Sequence, residues 1–583
     1  MFNYLIYFQL VQGILASSSM FTMHVMAYKK LYHNAQEAMF IHSFPFTFLS
    51  IKPITIMISQ SLLLAFIIFL SALFLKLLSS KRKNKSEHQL RHPPSPLALP
   101  IVGHLHLLQP LIHQAFRDLS LKYGPLIFLK LGYARFVVAS SPEVAKEILK
   151  INELTYSSRK MSTAINLVTY DNATFAFAPY DTYWKFIKKL STTELLGNRT
   201  LAQFLPIRTR EIHEFVRTLA QKSEAKERVD LTEELLKLSN NIISQMMLSI
   251  KSTDDQSEEA RALVREVTQI FGEFNVSDFI GVFKNLDLQG FRKRAMHIHK
   301  RYDALLEKVI SDREESRKIQ KGSKAEGGVE DGEERLKDFL DILLDVSEDK
   351  DCEVKMTRNH IKSLILDYFT AATDTTAISV EWTISELFNN PRALKKAQEE
   401  VDRVTGRERL ICEADSLNLP YIHAIIKETM RLHPPITMIM RKGIEDCVVN
   451  GYMIPKGAVT CVNIWAMGRD PKIWENPLEF KPERFLEDEG NSIDIKGHNY
   501  ELLPFGTGRR GCPGMPLAMR ELPTMIGVLV QCFEWNMFDA NGKILEHGKT
   551  IDMDERPGLT APRANSLICI PVARLNPTPF LHM

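Results

Sequence analysis

The sequence predicts a mainly α-helical protein with small β-sheets, carried behind an apolar segment near its amino terminus. Apolar residues recur at helical spacing through Val144–Leu149, Leu231–Met247 and Ala304–Ile310. Strand-like patterns are short: Leu126–Leu131, Phe136–Ala139 and Val448–Ile454. One apolar stretch runs from Thr357, a candidate N-cap, to Phe388; at the α-helical rise it makes a rod of about 45–50 Å. With 583 residues, 45% hydrophobic and 25% charged, the chain can bury a large core. Its formal charge of +3 gives no electrostatic ground for binding nucleic acid.

Residues 1–56 read as an extension, with Met57 as the natural start. Phe2–Ala27 is uncharged, but a span there would leave Lys29 and Lys30 on the wrong side by the positive-inside rule. Residues 57–80 read as a transmembrane anchor, with no charge between Ser61 and Phe74. The basic run Lys81–Lys85 follows it, which places the rest of the chain in the cytosol. A cleaved secretory signal carries its charge before the apolar run, not after it. Residues 81–100 form a basic and proline-rich hinge, extended and stiff between Pro93 and Pro100, and residues 101–583 form the body. Within the body, Lys318–Glu334 is charged and glycine-bearing and reads as a surface loop.

The cysteines are Cys352, Cys412, Cys447, Cys461, Cys512, Cys532 and Cys569. Their number is odd and no C-x-x-C pair occurs, which argues against a disulfide framework or a structural zinc site. Cys512 stands apart. It lies in Phe505-Gly-Thr-Gly-Arg-Arg-Gly-Cys-Pro-Gly514, just ahead of an apolar helical stretch from Leu517 to Val530. The positive end of a helix dipole favours a thiolate there. The glycines permit turns and close approach barred to other residues. A lone cysteine is by default a buried thiol. The frame F-x-x-G-x-R-x-C-x-G, filled without departure, resembles the haem-binding signature of the cytochrome P450 superfamily.

That resemblance implies the cytochrome P450 fold, a triangular helical haem domain. Its cofactor would be haem b, iron protoporphyrin IX with Cys512 as axial thiolate. Phe505 and Gly514 would belong to the haem-binding loop, and Arg510 would reach a propionate by a charge-assisted contact. Three further motifs follow the same order as in the superfamily. Ala371-Ala-Thr-Asp-Thr-Thr376 sits in the middle of the long apolar helix, where an acid and hydroxyls are unfavourable for propensity. Asp374 and Thr375 resemble the acid–alcohol pair that feeds protons to dioxygen. The family commonly has glycine where this chain has Ala372, an extra methyl near that site. Glu428-Thr-Met-Arg431 places an acid and a base on one helix face, between Leu419-Pro420 and His433-Pro-Pro435. With Arg484 of Pro482-Glu-Arg-Phe485 they resemble the family's structural Glu–Arg–Arg triad. Trp184 and Lys188, four apart on a helix, resemble a propionate contact in which arginine is usual at the second position; lysine is less directional. Arg441 resembles a further propionate contact, and Lys185, Lys188 and Lys189 would suit an acidic electron donor.

The likeness extends from about residue 90 to 575 and is that of a plant microsomal member. Three stretches, Pro93–His106, Arg265–Asp278 and Glu555–Arg563, resemble the flavone synthase II and flavanone 2-hydroxylase group. The resemblance implies a monooxygenase in the endoplasmic reticulum membrane, single-pass, that uses O2 and NADPH. Its electrons would come through a separate NADPH–cytochrome reductase, since the chain has no flavin- or nicotinamide-binding region. Its substrate would be a flavanone, with Ser162–Thr169, Phe271–Phe274, Leu366–Thr370, Ile436–Met440 and Leu559–Thr560 around it. The same motifs fit a flavanone 2-hydroxylase, or a hydroxylase of another phenylpropanoid, isoflavonoid or terpenoid. A peroxide-rearranging haem-thiolate enzyme or a non-catalytic haem sensor would have no use for the acid–alcohol pair.

Overall fold

Thr357 opens the long helix as its sequence predicts. Its hydroxyl accepts the His360 N–H at 3.3 Å, and the helix runs unbroken from Arg358 to Asn389 in the computed structural model. The structure describes residues 91–575 apart from 109–110, 172, 251–254, 326–335, 407, 487–492, 540–541 and 547. The extension 1–56, the expected anchor 57–80 and the 81–90 part of the hinge lie outside the described residues. Among the described residues no helix is long and apolar enough to cross a membrane.

The Arg358–Asn389 helix is buried on most of its circumference. A helix apolar all round belongs inside a domain, and this one is the core's axis. Helices Leu231–Leu248, Pro420–Leu432 and Met515–Cys532 pack against it. Their Leu, Ile, Val and Met side chains form one continuous apolar cluster with it.

The β structure is small, and its four-stranded sheet joins segments from both sides of the Arg358–Asn389 helix in sequence. Leu126–Leu131 pairs antiparallel with Ala134–Ala139, which pairs parallel with Val459–Val462, which pairs antiparallel with Ile439–Lys442. Alternate residues enter two different cores: Leu126 and Phe128 go to one, Ile127, Leu129 and Leu131 to the other. Both faces of this strand are covered, so it reads as a continuous apolar run. The expected single strand Val448–Ile454 is instead a hairpin, Cys447–Val449 against Tyr452–Ile454. Asn450 and Gly451 take positive φ of 48° and 74° at its tip, the geometry a two-residue hairpin turn requires.

A second expectation is corrected at Lys318–Glu334. The helix that begins at Phe291 continues to Ala325, so the first part of the expected loop is helical, and 326–335 lie outside the described residues. Its Lys, Arg and Glu are good helix formers. The neighbouring helix Phe339–Glu348 also holds it: Arg317 donates to Asp341 O at 3.1 Å, and Lys321 meets Glu348 at 3.0 Å. From Pro93 to Pro100 the chain lies along the body, with Pro94 O accepting the Phe128 N–H at 2.8 Å.

Glu428, Arg431 and Arg484 come together as the family resemblance implies. Glu428 and Arg431 have no exposed side-chain surface and form a two-bond fork at 2.7 and 2.8 Å. Arg484 Nε donates to Glu428 at 3.0 Å, and the Lys481 N–H adds a bond at 2.8 Å. Arg431 also donates to the carbonyls of Gly468, Pro477 and Glu479. Gly468 is required there, because a Cβ would lie 2.2 Å from Arg431 O. Removing one partner strands the other in a dry interior. Arg431→Ala is therefore expected to cost about 3–5 kcal/mol of stability, measured by urea unfolding of the detergent-solubilised protein; a loss under about 1 kcal/mol would show the charge has another partner.

Candidate active site

The loop Phe505–Gly514 folds back on itself. The Cys512 N–H donates to Phe505 O at 2.8 Å and the Gly511 N–H to Gly508 O at 3.0 Å. Gly508 sits at φ +68°, and a Cβ on it would lie 2.3 Å from Glu153 Oε1. Glu153 also holds Arg509, by its backbone N–H and its side chain. The loop is thus fixed from outside by one carboxylate, and it leads directly into the helix Met515–Cys532.

Burial pushes the Cys512 thiol up. Backbone N–H groups of Gly514 and Met515 at the start of that helix oppose this, as do the charges of Lys188 and Arg159. The helix start therefore favours the thiolate, by oriented amides as well as by the dipole. Dense protein surrounds Cys512, yet the residue itself is exposed, as expected of a residue in the wall of an internal chamber. Lys188 Nζ donates to Gly511 O at 3.3 Å within the same loop.

Around this sulfur the chain gathers buried positive charge. Arg441 has its guanidinium well below the usual range, first by burial and then by repulsion from Arg159 and Arg510. Burial likewise lowers Arg159, whose Nε has no hydrogen-bond partner among the described residues. Arg510 is lowered to about 9 by burial and by Arg159. It donates to three carbonyls, Ser157 O at 2.9 Å, Phe175 O at 3.4 Å and Ala178 O at 2.5 Å, and lies over the Trp184 ring at 4.3 Å. Such a cluster is costly until an anion joins it. One soft sulfur donor, a glycine loop and guanidiniums with spare N–H groups fit a flat iron macrocycle with two carboxylates, which is haem.

The expected propionate contacts are modified in detail. Trp184 and Lys188 do share a helix face, but the indole N–H donates to Phe175 O at 3.1 Å and Lys188 faces Gly511. Arg441 Nη1 donates to its neighbour Met440 O at 2.9 Å. Arg441 and Arg159 thus have the most guanidinium N–H to offer.

Asp374 and Thr375 lie in the middle of the Arg358–Asn389 helix, which stays regular through Ala372. Burial raises the Asp374 carboxyl to about 6, against the pull of Arg265, Arg556 and a hydrogen bond with Thr268. The Thr375 hydroxyl donates to Ala371 O at 2.7 Å. Ala371 is exposed although the helix around it is buried, so this stretch too borders open space.

The stretches expected around a ligand come partly together. Ser162 caps the helix Thr163–Val168, and Phe271 meets Phe177 edge to face at 6.1 Å. The helix Asp255–Gly272 ends against the loop Gly558–Leu559, backbone to backbone: a Cβ on Gly272 would lie 2.3 Å from Leu559 N. Ala561 pins that loop, donating to Pro435 O and accepting from Trp382 Nε1, both at 2.9 Å.

Sequence reasoning missed Arg159, which looks like a surface charge in Ser157-Ser-Arg-Lys160, and also Asp367 and Glu381. A signal for these acids exists: Asp367, Asp374 and Glu381 stand seven apart and share one stripe of the helix. Burial raises Asp367 and Glu381 each to about 7.

The family model described as Cytochrome P450 matches residues 93–560. Over 531 residues the chain is 74% identical to "Cytochrome P450 93B16" of Glycine max, covering 90% of this chain and 100% of that one. It is 58% identical over 523 residues to "Cytochrome P450 93B2" of Gerbera hybrida, covering 89% and 98%. It is 45% identical over 526 residues to a "2-hydroxyisoflavanone synthase" of Glycyrrhiza echinata, covering 89% and 99%. Among solved structures, a zebra fish cytochrome P450 determined with progesterone matches with a TM-score of 0.63. Its identity is 24%, over 79% of this chain and 99% of that one, a likeness of fold alone.

If Cys512 is the axial donor, Cys512→Ala is expected to abolish the thiolate-type ferrous–carbonyl spectrum. A spectrum that persists in the variant would remove Cys512 from that role.

Proposed function

The chain belongs to the cytochrome P450 family, and on that premise we propose that it is a flavone synthase of type II, converting flavanones to flavones. It is an oxidoreductase of the monooxygenase kind, and haem is its cofactor. The observation that carries the substrate assignment is the likeness of three separate stretches, Pro93–His106, Arg265–Asp278 and Glu555–Arg563, to the flavone synthase II and flavanone 2-hydroxylase group. The relative named for 2-hydroxyisoflavanone synthesis supports a flavonoid substrate class.

In this reading Cys512 is the axial ligand, held in its loop by Phe505 and favoured as thiolate by the N–H groups of Gly514 and Met515. Arg441 and Arg159, which have the most free N–H, take the propionates with Arg510 beside them, and Trp184 and Lys188 brace the loops that carry them. When bound, haem with an axial thiolate supplies the reductive activation of dioxygen. Asp374, lifted to about 6, holds and releases a proton near neutral pH. The guanidiniums of Arg265 and Arg556, both on exposed residues, work against that rise and favour its charged form. Thr375 now spends its proton on Ala371 O at 2.7 Å, and rotation about its Cα–Cβ bond turns that proton toward the chamber. Electrons arrive from NADPH through a separate reductase that docks on the exposed Lys185 and Lys189; Lys188, expected with them, is turned inward to Gly511 O and is not part of that surface. Residues 57–80 anchor the enzyme in the endoplasmic reticulum membrane, with residues 101–583 in the cytosol. Glu428, Arg431 and Arg484 hold the fold behind the site.

Flavone formation and 2-hydroxylation both begin with removal of hydrogen at C2 or C3 of the flavanone. Loss of a second hydrogen gives the C2–C3 double bond, whereas hydroxyl transfer gives the 2-hydroxyflavanone. The relative named for 2-hydroxyisoflavanone synthesis keeps the second outcome in view.

Microsomes containing this protein and a plant reductase, fed naringenin and NADPH, are expected to yield apigenin without acid treatment. Apigenin only after acid would mean a flavanone 2-hydroxylase, and no turnover with an intact thiolate spectrum would remove the flavonoid assignment. In the same assay Thr375→Ala should cut product per NADPH by about tenfold or more, with the electrons appearing as hydrogen peroxide. Unchanged coupling would take Thr375 out of the proton path.

A further inference from the structure

Asp367 lies two turns before Asp374 on the same stripe of the Arg358–Asn389 helix, and no step above uses it. Its carboxylate accepts the Ala176 N–H at 3.2 Å, and the Phe175 N–H bonds it as well. Those two amides belong to the loop 173–178, which also carries acceptors for the clamp around Cys512. Phe175 O accepts from Trp184 Nε1 at 3.1 Å and from Arg510 Nη1 at 3.4 Å. Ala178 O accepts from Arg510 Nη2 at 2.5 Å.

Phe175 O and the Ala176 N–H are the two edges of one peptide group. A trans peptide is planar, with its C=O and N–H pointing in opposite directions, so one edge cannot rotate without the other. Asp367 grips one edge; Arg510 and Trp184 grip the other. The charges run negative, peptide dipole, positive along this line, so each bond polarises the next in the favourable sense. Burial works against the carboxylate, and the two amide bonds and the Arg159 charge work for it. Tyr183 ties the loop a third time, through a bond to Ala173 O at 2.5 Å.

We propose that Asp367 is a positioning residue for the haem-propionate clamp: by fixing the Phe175–Ala176 peptide plane, it sets the direction of Arg510 and Trp184. It acts through that plane, from the edge opposite to the one that Arg510 and Trp184 hold. The proposal rests on the reading that places haem against Arg510. It predicts that a change on the helix, on the far side of the loop, loosens haem as a change in the clamp does. Asp367→Asn keeps the side chain's shape but turns an NH2 group toward one of the two N–H donors, so one bond is lost.

The test is a double-mutant cycle on the holoenzyme, read as the rate of haem transfer to excess apomyoglobin. Arg510→Lys and Asp367→Asn should each speed transfer about tenfold. The double variant should also show about tenfold rather than about a hundredfold, because both act through one network. The propionate bending bands in the resonance Raman spectrum should shift alike in both single variants. Leu364→Ala, a cavity in the same helix at a fully buried residue, should lower thermal stability without shifting those bands. Additive effects, or an Asp367→Asn rate equal to wild type while Arg510→Lys is fast, would overturn the relay and leave the clamp standing. A wild-type rate in Arg510→Lys would overturn the clamp and the relay together. If Asp367→Asn fails to accumulate, Asp367→Glu, which keeps the charge and moves it by one methylene, is read in the same cycle with the same criteria.

Discussion

The cost of taking positive charge out of water shapes the centre of this molecule. Arg159, Arg441, Arg510 and Lys188 lie near one sulfur, and burial works against the charge of each. Each buried ion costs several kcal/mol unless other groups replace its hydration. The chain replaces it where it can. Ser157, Phe175 and Ala178 turn their carbonyls inward to Arg510, and Trp184 lays its ring against the same guanidinium. The path of the backbone between residues 157 and 184 follows from that demand. What the protein leaves unmatched, chiefly at Arg441 and Arg159, is the part of the charge that a dianionic cofactor matches.

The Glu428 cluster is buried as deeply and follows the opposite logic. There every N–H of Arg431 finds an acceptor, with two arginines, a backbone amide and three carbonyls closing the network. A fully satisfied buried network makes the local structure rigid, whereas a partly satisfied one marks a place where something else binds. The two clusters together separate what holds the fold from what the fold is for.

Much of this was legible in the sequence where the cause is local. Thr357 caps its helix, and Pro420 opens a later one that His433-Pro-Pro closes, because capping and proline sterics act within a few residues. The cysteine loop was legible because its glycines and its following helix are contiguous. Arg159 was not, since only the closing of distant segments decides that this loop arginine is buried. Asp367 was half visible: its spacing from Asp374 and Glu381 was on the page, but nothing local says that its partners are the amides of 175 and 176. Trp184 and Lys188 were placed on the correct face, yet their donors turn to protein carbonyls, a choice made by tertiary packing. The stretch after Lys318 carries glycine and charge that suit a loop, yet its first part is helical through Gly322, continuing a long helix rich in Lys, Arg and Glu.

The contact between Gly272 and the Gly558–Leu559 backbone makes two distant parts of the chain behave as one mechanical piece. Neither can retreat or advance by a fraction of an ångström without carrying the other, because there is no side chain between them to absorb the change. A side chain added at the end of the Asp255–Gly272 helix therefore has to arrive together with a change in the carboxy-terminal loop, which makes this junction slow to diversify, while contacts built from interdigitating side chains remain free to vary one residue at a time.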